Sequence, residues 1–163
     1  MIAYPSNTHG LCVSLTPAGS NEDGSGGAMS CGPFVGVPRT VETRLSSEML
    51  ITLLTSGASP EFPAYIVGPV IDRASTVEIH YKTGEVLRLP TFSGAASLGH
   101  VRFYAAQLPA SIPRPLPGQR LDAHNAPSFM PTKLAGLDSD GNIVACLVPR
   151  TAVDGVSPLS DCR

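Results

Sequence analysis

Two segments of this chain, 77–89 and 134–147, each have the pattern of two strands joined by a turn that contains glycine. In the first segment apolar and polar residues alternate. An alternation with a period of two is typical of a strand that buries one face. In the first segment, a three-residue turn ending at Gly84 sets Ile79 opposite Leu87 on the buried face. The same register sets Glu78 opposite Arg88, and this pair of opposite charges favours the hairpin slightly. The first segment therefore predicts an antiparallel hairpin.

The second segment, 134–147, is largely apolar on both faces and turns at Ser139-Asp140-Gly141. Gly141 suits the left-handed position of another three-residue turn. The expected cross-strand pairs are Leu137 with Ile143, Ala135 with Ala145, and Leu134 with Cys146. A hairpin that is apolar on both faces is expected inside the fold rather than at an edge.

Further segments have the composition of strands. Residues 64–71 form a buried apolar run, but Gly68-Pro69 interrupts it and indicates a bulge or an edge position. Residues 45–54 fit both a helical stripe and a strand, and we favour the strand. Residues 101–108 predict another strand, and 10–15 is the one strand expected in the N-terminal arm.

A proline-rich segment at 109–131 contains six prolines and has no periodicity of a helix or a central strand. We expect it to run over the surface. Loops of this length are often functional, so the segment is the best candidate for a binding element. The residues expected to contact a partner are Arg114, Pro115, Leu116 and Arg120. For the segment itself we favour a passive connector over a binding element, because the proline spacing differs from the PxxP pattern of known ligands.

The composition fits one all-β domain with many turns. Of the 163 residues 15% are charged, and glycine and proline each occur 16 times. A typical domain has about 25% charged residues. We therefore predict an antiparallel β-sandwich with a long proline-rich loop and an irregular N-terminal arm. The expected organisation is the arm at 1–38, the sandwich at 39–148 and a C-terminal tail at 149–163.

The net charge of the chain argues against nucleic acid and anionic membranes as partners and leaves protein partners open. A net charge of −2 and a pI near 6.0 give no reason to expect nucleic acid or an anionic membrane. No apolar run has the length of a transmembrane helix, and the first residues lack the pattern of a signal peptide. The expected partner is a protein or a surface of unknown identity, and oligomerisation stays open.

The four cysteines form two sequence-local pairs near the ends of the chain, Cys12 with Cys31 and Cys146 with Cys162. Four cysteines allow three pairings, and we favour the local one because the first bridge would close a glycine-rich loop. Four unrelated buried thiols are the alternative, since free cysteine is often a small core residue. A zinc site is less favoured, because no CxxC pair is present. Two bridges would indicate an oxidising compartment.

The residues expected of an active site do not form a recognisable motif. Ser93, His100 and Asp72 have the residue types of a hydrolytic triad, but triads are defined by geometry rather than composition. Asp138 and its acidic and amide neighbours resemble a calcium loop superficially, yet they lack the spacing of an EF-hand. We therefore predict no catalytic residue, no cofactor and no metal site.

Three stretches together resemble a known group of domains, and they are 76–89, 101–104 and 134–144. They are similar to extracytoplasmic β-sandwich domains of unknown function in high-GC Gram-positive bacteria, of the immunoglobulin-like and transthyretin-like kind. The resemblance covers roughly residues 64–148 and transfers no catalytic residues. It implies a non-enzymatic extracellular module.

The leading prediction is thus a non-enzymatic binding or structural module in an extracellular or cell-surface location. The first alternative is a subunit of a larger assembly, such as a virion decoration or capsid-associated protein. Free thiols would favour that alternative and a virion or cytoplasmic location. A hydrolase with an unrecognised site is the second alternative.

Overall fold

The computed structural model describes residues 1–16, 27–37, 46–54, 64–109, 130–149 and 158–163. These residues form an all-β fold with antiparallel sheets, as the sequence predicts. The strands are β1 (Ile2–Ser6), β2 (Gly10–Leu15), β3 (Ala28–Gly32), β4 (Thr52–Leu54), β5 (Tyr65–Ile71), β6 (Thr76–His80), β7 (Val86–Pro90), β8 (Phe92–Ser93), β9 (Val101–Gln107), β10 (Lys133–Leu137) and β11 (Ile143–Leu147). Two short 3-10 helices, Ala96–Leu98 and Leu159–Cys162, complete the described elements.

Two four-stranded sheets form the sandwich. The central sheet has the order β4-β5-β9-β8, and the hairpin sheet has the order β11-β10-β6-β7. If β4 is strand A, these orders correspond to A-B-E-D and G-F-C-C′ of the immunoglobulin type. The sheets approach closely at Gly136, where an added Cβ would lie 3.1 Å from a methyl carbon of Val70. Side chains of both sheets share one buried core.

The first predicted hairpin is confirmed in its register. Ile79 pairs with Leu87 and Glu78 pairs with Arg88 across β6 and β7. The loop closes through a hydrogen bond of 2.9 Å from the Tyr81 amide to the Glu85 carbonyl. Gly84 has φ +85°, the left-handed conformation that the turn requires.

The second hairpin departs from the predicted register beyond its turn. Leu137 pairs with Ile143 as expected, and Gly141 has φ +83°. The register then shifts by one residue, so that Ala135 pairs with Cys146 rather than Ala145. Leu134 likewise pairs with Leu147 and not with Cys146. The reason is a β-bulge, which places one extra residue in β11 and cannot be read from apolar alternation.

The expectation that the whole second hairpin lies inside the sheet is also wrong for one of its strands. Within the described sheet β10 is central, whereas β11 is an edge strand. Its outer face is apolar because the 3-10 helix Leu159–Cys162 packs on it, with Ala135, Cys146 and Cys162 forming a separate buried cluster. The disulfide between Cys146 and Cys162 fixes this helix, with an S–S distance of 2.10 Å.

Strand β5 is continuous through Gly68-Pro69 and central in its sheet, so the predicted bulge or edge position is wrong. The Leu50 amide donates to the Pro69 carbonyl at 3.1 Å, but proline has no N–H to return a bond to the Leu50 carbonyl. The Tyr104 hydroxyl donates to that carbonyl instead, at 2.8 Å. Gly68 leaves room for the tyrosine, because a Cβ there would lie 2.6 Å from the Tyr104 hydroxyl oxygen and would also clash with the Leu50 oxygen.

The segment 45–54, which fits both a helix and a strand, is extended in its described part. Met49 is fully buried and forms a bridge with Val70, and β4 continues that pairing along β5. The preference for a strand is therefore confirmed at Thr52–Leu54, with an isolated bridge at Met49, and Leu45 lies outside the described residues.

The N-terminal segment contains a three-stranded sheet, where the sequence predicts one strand in an irregular arm. In this N-terminal sheet β2 is flanked by β1 and β3, and its buried face contributes Leu11 and Val13 to the core. Cys12 lies directly opposite Cys31 and is bonded to it with an S–S distance of 2.03 Å. The bridge links β2 to β3 covalently and so supports a sheet in a segment with little alternation.

Candidate binding surfaces

Three loops meet at one end of the sandwich, and together we call them the loop end. They follow β5 (72–75), β8 (94–100) and β10 (138–142). The loops are tied together by backbone and side-chain bonds, including one of 2.7 Å from the Ser75 amide to the Leu137 carbonyl. This end is therefore a rigid support for side chains.

A shallow depression of about 480 Å³ lies between the loop end and the outer face of the hairpin sheet. Its lining is mainly polar and consists of Ser75, Thr76, Glu78, Arg88, Leu137, Asp138, Ser139, Gly141 and Ile143. Several of these polar groups already bond to their neighbours, as when the Ser75 hydroxyl donates to the Leu137 carbonyl at 3.2 Å. These bonds hold part of the polar lining in place.

The Asp138 carboxylate organises the turn of the second hairpin. One carboxylate oxygen accepts bonds from the Asp140 amide at 2.9 Å and the Asn142 amide at 2.8 Å. These bonds, together with the Asn142 side chain, hold the pKa of the Asp138 carboxyl below its usual value. Among the described residues no group of three or more acidic, histidine or cysteine side chains could hold a metal ion.

The structure brings Asp72 and His100 together but leaves Ser93 apart from them. The His100 Nδ1 lies 2.6 Å from the Asp72 carboxylate, at the point where β5 and β9 reach the loop end. The His100 side chain is 87% exposed, so water surrounds the pair. The Ser93 hydroxyl instead accepts a bond from Arg102 at 3.4 Å. Among the described residues, the Ser93 hydroxyl therefore has a hydrogen bond to Arg102 and none to the Asp72–His100 pair.

The Arg102 guanidinium stabilises the point where the chain crosses from one sheet to the other. It donates to the Thr91 hydroxyl at 2.6 Å and to the Thr91 carbonyl at 2.9 Å. The Thr91 hydroxyl in turn donates to the Ala74 carbonyl at 2.7 Å. This network fixes the corner at which the chain passes from β7 to β8.

Glu78 joins two basic side chains on the outer face of the hairpin sheet. One of its oxygens accepts a bond of 2.6 Å from Arg88, and the other lies 3.3 Å from the His80 Nε2. Glu78 is largely buried, with 14% of its side chain exposed, whereas Arg88 is 76% exposed. The expected Glu78–Arg88 pair is therefore present, and an exposed arginine borders the depression.

The predicted recognition residues Arg114, Pro115, Leu116 and Arg120 lie outside the described residues. The two flanks of their segment are anchored in the sandwich. The Leu108 amide donates to the Ala64 carbonyl at 2.8 Å, and the Thr132 amide donates to the His80 carbonyl at 2.8 Å. The segment therefore connects fixed points at the end of the sandwich opposite the loop end.

A feature that the sequence analysis missed is the outer face of the N-terminal sheet. Its register aligns Ile2 with Ser14 and Met29, and Tyr4 with Cys12 and Cys31. The exposed fractions of Ile2, Tyr4 and Met29 are 68%, 40% and 64%. No charged side chain occurs in 1–16 or 27–37. These residues alternate too weakly to predict strands β1 and β3. The lack of charged residues in 1–16 and 27–37 is the one sequence signal that points to this face.

Comparison of the chain with protein-family models, curated proteins and solved structures finds no match. Within the described parts of the chain, no helix has the length and apolar character needed to cross a membrane.

Proposed function

We propose that the chain is a non-enzymatic binding or structural module that works outside the cytoplasm. The observation that carries this proposal is the pair of disulfides, which use all four cysteines. Stable bridges of this kind are typical of proteins in oxidising compartments. One bridge holds the N-terminal sheet and the other holds the C-terminal helix, so both support the architecture.

The polar surface of the sandwich supports recognition over catalysis. Asp138 is engaged with its own turn, and the Asp72–His100 pair is open to water. A general base is most effective when its proton acceptor lies within reach of a positioned nucleophile. The described groups of the loop end are instead arranged to stiffen loops, and stiff loops lower the entropic cost of binding.

The recognition element in this proposal remains the proline-rich segment with Arg114 and Arg120. An extended proline-rich chain loses little conformational freedom on binding, and arginine offers forked donors to carboxylates. The anchors at Leu108 and Thr132 support a deletion within the segment that keeps the sandwich intact.

The test is capture of partners from a cell-envelope extract, with mass spectrometry of the bound proteins. We expect deletion of 114–120 to abolish capture and to leave the melting temperature unchanged. The matched control is Arg73→Ala, because Arg73 is an exposed arginine at the opposite end, with 66% of its side chain accessible. Equal capture by the deletion variant and the intact chain would reduce the segment to a connector.

A subunit of a larger assembly is the second candidate, and the uncharged outer face of the N-terminal sheet favours it. Two copies could join such faces without repulsion between like charges. The test is solution mass at micromolar concentration, with Met29→Lys compared with Val86→Lys on the hairpin sheet. A monomeric intact chain would reject this candidate, whereas an oligomer that only Met29→Lys dissociates would support it.

A further inference from the structure

The two disulfides differ in their exposure to solvent. Cys146 and Cys162 have 4% and 3% of their surface accessible, and they lie in a buried apolar cluster. In the other bridge Cys12 is only 2% accessible, but Cys31 is exposed on the edge strand β3. Thiol–disulfide exchange requires that a thiolate reach one of the two sulfurs. Only the N-terminal bridge offers an exposed cysteine.

Tyr4 explains why the two cysteines of the N-terminal bridge are exposed to different extents. Tyr4 lies on β1 in the same row as Cys12, and its hydroxyl donates to the Met29 sulfur on β3 at 3.2 Å. A side chain that reaches from β1 to β3 must cross β2, where Cys12 is located. The tyrosine side chain therefore passes over β2 beside Cys12, whereas Cys31 on β3 stays exposed.

The strands of the N-terminal sheet present no negative charge to an anionic thiol. The described residues 1–16 and 27–37 carry no acidic side chain that would repel a thiolate or the carboxylates of a peptide thiol. The apolar neighbours Ile2 and Met29 are exposed beside the bridge and offer contact area to an incoming molecule.

We propose that Cys31 is a modification site at which an external low-molecular-weight thiol forms a mixed disulfide. The thiolate attacks the Cys31 sulfur, a new S–S bond forms there, and the bond between Cys31 and Cys12 breaks. Cys12 leaves as a thiolate and takes a proton from water. The exchange needs no further oxidant or reductant, because one disulfide replaces another.

The experiment exposes the folded protein to reduced glutathione and quenches samples with N-ethylmaleimide at increasing times. Trypsin and cleavage after Glu22 place Cys12 and Cys31 in the separate peptides 1–22 and 23–39. Mass spectrometry then shows which cysteine carries glutathione and which carries maleimide. The bridge Cys146–Cys162 is the internal control for opening of the whole fold.

We expect glutathione on Cys31 and maleimide on Cys12, formed at least about a hundredfold faster than any reaction at Cys146, since a buried bridge reacts only through opening. Glutathione mainly on Cys12, or equal rates at the two bridges, would overturn the proposal.

Two variants test the role of the tyrosine ring. Tyr4→Ala is expected to distribute glutathione over Cys12 and Cys31, because it uncovers Cys12. Tyr4→Phe keeps the ring and is expected to keep the selectivity. An unchanged preference for Cys31 in Tyr4→Ala would contradict the screening by Tyr4, and loss of preference in Tyr4→Phe would do the same. The intact Cys146–Cys162 bridge in each variant reports that the sandwich has stayed folded.

Discussion

At the scale of single residues, the stability of this fold depends on a few positions where the backbone conformation requires glycine or where a carbonyl has a single hydrogen-bond donor. Gly84 and Gly141 could be identified from the sequence, because the turns that need them are local. The pairing of Tyr104 with Leu50 could not, since 54 positions separate them and the need arises only from Pro69 on the strand between them. The turn glycines could therefore be predicted from the sequence. The distant tyrosine that replaces the missing N–H of Pro69 could not.

Replacement of Gly84 by valine is expected to destabilise the fold by about 1–3 kcal/mol, because a β-branched residue is strained at positive φ. No atom lies within 4 Å of a Cβ at this position, so the cost comes from the backbone alone. Gly84→Asn is the control, since asparagine tolerates the left-handed region. Gly141→Val should behave like Gly84→Val. Urea unfolding curves that coincide for all these variants would show that the turn assignments are wrong.

Replacement of Tyr104 by phenylalanine is expected to cost about 1–3 kcal/mol, because it leaves the partly buried Leu50 carbonyl without its donor. Burial raises the pKa of the Tyr104 hydroxyl, so the group stays protonated and donates throughout the ordinary pH range. Tyr65→Phe on the adjacent strand is the control, because the Tyr65 hydroxyl has no hydrogen bond among the described residues. Equal melting temperatures of the two variants would contradict the idea that the Tyr104 hydroxyl replaces the N–H that Pro69 lacks.

The Asp138 carboxylate is expected to make the stability depend on acidity. Its pKa is lowered in the folded state by hydrogen bonds from Asn142, so its contribution is present above the ordinary pKa near 3.8. That contribution is lost as the pH falls through the lowered value. Asp138→Asn should therefore be less stable than the intact chain at pH 7, and the difference should shrink in acid. Asp140→Asn is the control, and a difference between Asp138→Asn and the intact chain that persists undiminished below pH 3 would exclude this explanation.

At the scale of elements, hairpins could be predicted better than the strands that join distant parts of the chain. The register of β6 and β7 follows from alternation and a turn, whereas the bulge in β11 has no signature in the apolar pattern. β1 and β3 were missed because Pro5 and the flanking glycines weaken their strand character. Their pairing depends on β2 and on the bridge between Cys12 and Cys31.

Removal of the Cys146–Cys162 disulfide tests how far the helix Leu159–Cys162 depends on this bond for its position. The double variant Cys146→Ala and Cys162→Ala should lose about 3 kcal/mol, the value of the chain-entropy model for a loop of this size. Hydrogen exchange should also rise in β11 and in the helix Leu159–Cys162, since the helix packs mainly on that strand. Exchange that stays unchanged in both elements would show that packing alone holds the helix.

At the scale of the whole molecule, composition predicted the all-β class, and the local cysteine pairs predicted both bridges. The strand order of an immunoglobulin-type sandwich emerged only from the structure, because it depends on pairings such as β5 with β9. The depression beside the loop end could not be predicted from the sequence either, because residues from β6, β7 and the β10–β11 turn line it together. The proposed recognition segment remains a prediction from the sequence.

The most direct test of the central claim is non-reducing peptide mapping of the protein recovered from its native source. Trypsin separates Cys146 in 134–150 from Cys162 in 151–163, and cleavage after Glu22 separates Cys12 from Cys31. The account of a disulfide-bonded module outside the cytoplasm predicts the linked peptides 1–22 with 23–39 and 134–150 with 151–163, recovered from an extracytoplasmic fraction. Four thiols that alkylate without reduction, or a peptide linking Cys12 to Cys146, would contradict it.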